Sequence, residues 1–312
     1  MPGIGVVLNP HSKRYKKNPE KLKRMGFIVG DKGHFGATQD LSDVARLAQE
    51  FKGRDIDILA LSGGDGTNHR TLTTFIDVYG DKPLPKIAFL RGGTLNTIAF
   101  ACGIYGSPEK ILSNLLYKYH EDEEFETTEI TITRIQAGDA PHYGFIWGIG
   151  VIYRFMDAYY RLGNPSPGRA AWTLAKSIGS AVINGPFACK MFERMDGQVT
   201  VNGKPWPFRN YSAIYTGSIE YLGLGFRVFY LARDPKKFHA VGFSLPPRNV
   251  LRYVPLMFLG RPSGCPDLVE GAASEMTIDL KEAVPFTIDG DMHPPESRFR
   301  ISTGPRLTVI VK

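Results

Sequence analysis

Along the first hundred residues, short solid apolar runs alternate with stretches whose apolar residues recur every three or four positions. The run ending in GVVLN (Gly5–Asn9) predicts a buried strand. NPEKLKRMG then predicts a helix with Asn18 as N-cap, Pro19 at its first position and Gly26 past its end. LSDVARLAQEF places Leu41, Val44, Ala45, Leu47 and Ala48 on one helical face. DIDILALS predicts a strand, NHRTLTTFIDVYG a helix from Asn68, KIAFLRGG a strand and LNTIAFACG a helix. Strands alternating with helices predict an α/β domain with a doubly wound, mostly parallel sheet.

The texture changes after residue 120. The acidic run Glu121–Glu126 predicts a solvated loop, and TTEITITRIQAG alternates as a strand does. Two helical stretches follow, and from Ala188 the pattern is mostly strands with glycine turns. Asp196-Gly197 and Asn202-Gly203 are both hairpin signals. SEMTIDL, PFTIDGD and RLTVIVK continue the strand character. The expected organisation is a nucleotide-binding α/β domain at 1–135 and a β-rich domain of antiparallel sandwich type at 136–304. A cleft between two such domains is the expected ligand site.

Two glycine clusters fall where ligands bind on such sheets, at the carboxyl ends of strands. They are SGGDGT (Ser62–Thr67) and RGGTLN (Arg91–Asn96). Turns without Cβ atoms let backbone N–H groups approach an anion, and a helix starting there adds its dipole. Arg91 adds a positive charge. Two such turns on neighbouring strands fit one polyphosphate. A carboxylate beside phosphate is repulsive unless it holds Mg²⁺ or accepts a proton. That leaves Asp65 as metal ligand, as base, or as a cap of local structure. GxxxxGK[ST] is absent, and no GxGxxG opens a helix after a strand, which excludes P-loop and dinucleotide fingerprints.

Composition narrows the partners. An apolar fraction of 43% and a charged fraction of 22% describe a globular chain, and the net charge of +7 favours anionic ligands. Three widely spaced cysteines without CxxC argue against a disulfide framework and zinc, and fit a reducing compartment. No HxxxH, HExxH or GxSxG pattern supports a transition-metal site or a hydrolase elbow. The first residues lack a signal-peptide pattern and no apolar run reaches about 20 residues, so a cytoplasmic location is expected. The segment Arg248–Arg261 joins an apolar stretch to Arg248, Arg252 and Arg261. It reads as a core helix of the second domain or as a contact with an anionic membrane.

LNP-S at Leu8–Ser12, GGDGT at Gly63–Thr67, GGTLN at Gly92–Asn96 and IDGD at Ile288–Asp291 occur in that order. Together they resemble the diacylglycerol kinase catalytic-domain family, related to sphingosine and ceramide kinases and, more distantly, to NAD kinases. The resemblance implies an ATP- and Mg²⁺-dependent kinase acting on a lipid hydroxyl of diacylglycerol, a sphingoid base or ceramide. It implies peripheral contact with membrane and no nucleic acid partner. It further implies that Asn9, Ser12 and Thr38 line the nucleotide site. Gly63, Gly64, Gly66 and Thr67 would contact phosphates, with Arg91, Gly93, Thr94 and Asn96 completing the site. Asp65 is the leading candidate for general base. Asp289 and Asp291 are candidates for catalysis or Mg²⁺ binding, with Asp291 standing where the family has Glu. A last strand at about 305–312 is expected to return to the first domain.

Several acidic positions of that pattern are replaced. Arg70 stands near a usual Glu, and Thr97 and Ile152 stand at two other acidic positions. His69 and Arg70 read either as specificity elements or as a solvated helix face. A soluble-metabolite kinase of NAD-kinase type and a non-catalytic nucleotide- or lipid-binding relative are the alternatives to a lipid kinase.

Overall fold

The computed structural model describes residues 3–30, 34–38, 40–163 and 165–311. The chain divides into two compact units, Met1–Ile130 with Arg306–Lys312, and Thr131–Pro305.

The N-terminal unit runs β1 (Ile4–Leu8), α1 (Lys13–Lys17), α2 (Pro19–Val29), β2 (His34–Ala37), α3 (Leu41–Gly53) and β3 (Ile58–Ser62). It continues with α4 (Asp65–Tyr79), β4 (Lys86–Phe89), α5 (Thr97–Ala101) and α6 (Pro108–His120). Its strands are parallel in the order β4-β3-β1-β2. Every residue of β1 and β3 is buried, as expected of strands covered by helices on both faces. One face packs Ile4, Val6, Leu8, Ile58 and Ala60 against Met25 and Val29 of α2 and Leu112 and Leu115 of α6. On the other, α3 packs along α4, with Phe51 and Phe75 rings 6.1 Å apart.

Two helix boundaries differ from the periodicity. Gly26 lies inside α2, which closes on Gly30 at φ 59 instead, where a residue without Cβ is favoured. Helix α4 begins at Asp65 rather than Asn68, because Gly64 serves as its N-cap. Asp65 therefore sits in the first helical turn.

The C-terminal unit comprises β5 (Thr127–Gln136, entering from the first unit), β6 (Pro141–Gly144), β7 (Ile146–Gly150), α7 (Val151–Arg161), α8 (Pro167–Val182) and α9 (Pro186–Met191). Then come β8 (Met195–Val201), β9 (Lys204–Pro205), β10 (Asn210–Tyr211), β11 (Ala213–Gly217), β12 (Phe238–Phe243), α10 (Pro247–Val250) and α11 (Val254–Leu259). The last strands are β13 (Leu268–Ala273), β14 (Glu275–Ile288) and β15 (Asp291–Ile310). Antiparallel strands run β13-β12-β11-β7-β14-β15. The first half of β14 pairs with β8 and its second half with β7, with register shifts between Asp279 and Phe286 where it changes partner. The inner faces close on Trp147, Ile149, Val199, Ile214, Ile278 and Phe299. The tail of β15 belongs to the N-terminal unit, where Val309 pairs with Ile87 of β4 in parallel.

Asn202-Gly203 forms the tight turn between β8 and β9, both residues having positive φ (48° and 75°). Asp196-Gly197, expected to turn, lies inside β8. A Cβ on Gly197 would stand 2.6 Å from the Asp279 carbonyl oxygen, so this glycine serves close approach of strands. The segment around Val250–Arg261 is no core helix: it splits into α10 and α11, and α11 has no buried residue. Trp147 is fully buried with its ring against Phe299, centroids 5.0 Å apart. Trp147→Ala is expected to cost about 3–5 kcal/mol, read as a lowered urea midpoint with an unchanged slope.

Candidate active site

The expected site residues of the N-terminal unit gather at the carboxyl ends of β1, β3 and β4. Strand β3 ends at Ser62, whose hydroxyl meets the Tyr15 hydroxyl of α1 at 2.7 Å in a buried pair. Burial raises the Tyr15 phenol above its ordinary value. Asn9, at the end of β1, extends the register with β3: its N–H donates to the Ser62 carbonyl at 3.0 Å. Its side-chain Nδ2 donates to Thr67 Oγ1 at 2.9 Å, and its Oδ1 accepts from the His11 N–H at 2.8 Å. Thr38, just past β2, is buried, and its N–H donates to the Leu8 carbonyl at 3.0 Å.

The two glycine turns are in backbone contact. A Cβ on Gly93 would lie 2.3 Å from Gly64 Cα, and one on Gly92 would lie 2.9 Å from the Gly63 nitrogen. A Cβ on Gly63 would meet the Thr67 side chain at 2.4 Å. None of these four glycines has a positive φ; the left-handed residues of the second turn are Arg91 (φ 54) and Asn96 (φ 52). The glycines are therefore small so that the turns can touch. Asn96 holds its strained turn by accepting from the Gly93 N–H (2.8 Å) and donating to the Gly93 carbonyl (3.0 Å).

Asp65 joins the turns electrostatically. Its Oδ2 accepts from the Thr97 N–H at 2.9 Å and its Oδ1 from the Ile98 N–H at 3.2 Å. Because the side chain of Asn96 turns back to Gly93, Asp65 of the neighbouring turn caps α5. Desolvation pushes the Asp65 carboxyl above the ordinary carboxylate value, opposed by these amides and by the Thr97 hydroxyl. An acidic residue at position 97 would put a second charge against Asp65; threonine supplies a donor. The geometry thus gives Asp65 a positioning contact, where the sequence alone left base, metal ligand and cap all open.

Unfilled polar capacity surrounds these turns. Helix α4 starts on a glycine with no capping side chain, so its first amides have no side-chain acceptor. Ser12 Oγ and Arg91 Nε are buried without a hydrogen-bond partner. The Arg91 guanidinium lies 5.9 Å from the Tyr105 ring centre. Arg14 forks onto both carboxylate oxygens of Glu109 at 2.7 and 2.5 Å. Burial would raise Glu109, but Arg14 outweighs it and holds the carboxyl below its ordinary value. Donors without acceptors beside an uncapped helix start fit a phosphate group. In the same helix Arg70 is exposed as a solvated face would be, but His69 is buried.

Residues 4–125 match the diacylglycerol kinase catalytic domain. The matched residues cover β1 to β4 and both glycine turns. Among solved structures, a diacylglycerol kinase from Bacillus anthracis str. Sterne superposes with a TM-score of 0.71 at 17% identity, covering 100% of this chain and 97% of its own. A second structure from that organism, provisionally named a diacylglycerol kinase, gives 0.69 at 16% with the same coverages. At such identities the likeness is one of fold, and it extends beyond the kinase-domain match to the antiparallel half. No curated protein sequence matches the chain.

In the C-terminal unit Asp289 and Gly290 are the two central residues of a tight turn between β14 and β15, with φ of 49° and 81°. The Asp289 carboxylate accepts from the Ile146 N–H at 2.8 Å and the Phe145 N–H at 3.0 Å, fastening the turn to β7. Asp-Gly is a strong turn signal that the strand reading of PFTIDGD passed over. Asp291 begins β15, 3.8 Å from His293 Nε2. The His293 ring stacks on Phe286 and lies 4.9 Å from the ring centre of His142. Burial lowers His142, partly offset by the charge of Asp291. Imidazoles around an IDGD aspartate were not foreseen, since the three residues are far apart or unremarkable in sequence.

Gly93→Ala is expected to force the turns apart, costing about 1–3 kcal/mol and any nucleotide affinity together. Thermal shift with and without ATP reads both. Asp65→Asn keeps one acceptor for two amides and is expected to cost about 1 kcal/mol. Unchanged stability in that variant would show that the cap contributes nothing.

Proposed function

We propose that this chain is an ATP-dependent lipid kinase that transfers the γ-phosphoryl group to a lipid hydroxyl of diacylglycerol, a sphingoid base or ceramide. The observation carrying the proposal is the uncapped start of α4, wedged against a second glycine turn within a diacylglycerol kinase catalytic domain. The first amides of α4, including those of Gly66 and Thr67, donate to phosphate oxygens with the helix dipole behind them. Ser12 and Arg91 direct their unfilled hydrogen-bonding groups to the same anion, and Asn9 orients the Thr67 hydroxyl. Gly93, Thr94 and Asn96 shape the second wall, and Thr38 closes the β2 side.

The three candidate carboxylates divide by what they touch. Asp65 and Asp289 each accept from two consecutive backbone amides, so both act as positioning residues. Asp291 takes the acceptor-proton role, with His293 Nε2 3.8 Å from its carboxylate. Phosphoryl transfer is largely dissociative, so a carboxylate suffices as a late proton acceptor. Asp291 is also the carboxylate best placed to share in holding Mg²⁺, whose charge offsets that of the phosphates.

Labelled-ATP transfer onto diacylglycerol, sphingosine and ceramide in mixed micelles, with NAD as a soluble acceptor, tests the reading. A phosphorylated lipid is expected. Phosphorylated NAD alone would make it a metabolite kinase, and ATP binding without transfer would make it a non-catalytic relative. Asp291→Asn is expected to lower kcat by roughly 10²–10⁴-fold with ATP affinity retained. Near-normal turnover in that variant would remove Asp291 from proton transfer.

A further inference from the structure

The chain leaves the four parallel strands of its N-terminal unit through residues 9–12, 38–40, 63–65 and 90–96. These segments contain two carboxylates, and both serve as helix caps. Asp40 accepts through Oδ1 from the Ser42 and Asp43 amides at the start of α3, at 2.8 and 3.1 Å. Asp65 gives one oxygen to the Thr97 amide and the other to the Ile98 amide at the start of α5. Glu109, in the first turn of α6, is held on both oxygens by Arg14 of α1. Mg²⁺ beside a polyphosphate is usually bound through one or two carboxylates. Each of these carboxylates already accepts from backbone amides or a guanidinium, so the donor set at this end of the sheet does not fit a bound Mg²⁺.

The remaining groups are cationic or hydrogen-bond donating. The first amides of α4 have no side-chain acceptor, and Ser12 Oγ and Arg91 Nε are buried without a partner. The Arg91 guanidinium is placed from its other side. Its Nη1 donates to the Gly106 carbonyl at 3.4 Å, and the group lies 5.9 Å from the Tyr105 ring centre. The left-handed backbone of Arg91, φ 54, is a conformation that persists where the surrounding structure imposes it. Lys13 and Arg14 open α1 directly after Ser12. A wall of amides and cations favours the more anionic of two ligands. ATP without a divalent ion is more anionic than MgATP, and the committed carboxylates give the ion no compensating contact.

We propose, on the reading of the α4 start as an ATP phosphate site, that the N-terminal unit binds metal-free ATP at least as tightly as MgATP. Arg91 meets the charge that the ion would otherwise offset, and ATP in excess of Mg²⁺ occupies the site as an inhibitor. The full chain is titrated calorimetrically with ATP in EDTA and, separately, in saturating Mg²⁺. Metal-free ATP is expected to bind about threefold more tightly, with tripolyphosphate in EDTA as a competitor. Arg91→Gln should weaken metal-free ATP roughly tenfold and MgATP by less, while Arg91→Lys keeps the wild-type order. Melting temperatures without nucleotide check the fold of both variants, and the wild-type comparison decides by itself if Arg91→Gln does not fold. Asp291→Asn should leave the ratio of the two affinities unchanged. In transfer assays at fixed MgATP, ATP added beyond Mg²⁺ should inhibit competitively with MgATP. Tighter binding of MgATP would overturn the proposal and leave the ATP reading standing. So would a folded Arg91→Gln protein with both affinities unchanged, tripolyphosphate that fails to compete, or turnover indifferent to excess ATP. Binding of neither form would overturn the ATP reading and the proposal with it.

Discussion

The site in the N-terminal unit depends on two glycine turns touching through their backbones. Gly93 faces Gly64 so closely that no Cβ fits between them, and the carboxylate of Asp65 spans the same contact to hold the first amides of α5. Steric fit and a charge-assisted cap act across one junction. Each alone would leave the turns loosely related; together they set where the free amides of α4 point. The left-handed backbone of Arg91 and Asn96 is tolerated because Asn96 bonds its own turn twice. The glycines that look like a phosphate motif thus first solve a packing problem, and the bare helix start follows from that solution.

The same device recurs in the antiparallel unit. Asp289 lies in a tight turn and accepts from two successive amides at the start of β7, as Asp65 does at the start of α5. A carboxylate satisfied by two backbone donors is fixed in direction and costly to move. Each such aspartate is suited to hold geometry. Asp291 stands apart from both, for its surroundings of His293 and His142 differ in kind from a backbone nest.

The sequence by itself determined the architecture: buried runs alternating with helical periodicity specify a parallel sheet, and two-residue alternation specifies the antiparallel half. Both patterns are local, and so were the motifs that locate the site at strand ends. It also placed the glycine clusters on adjacent strands and marked the GGDGT carboxylate as unusual. Tertiary structure alone decided which groups that carboxylate bonds, because its partners Thr97 and Ile98 are some thirty residues away. It alone started α4 at Asp65, buried His69, brought the imidazoles of His142 and His293 together beside Asp291, and left α11 outside the core. Periodicity reports which face of an element is apolar. It carries no information on whether that face is turned inward, which depends on contacts made by residues distant in the chain.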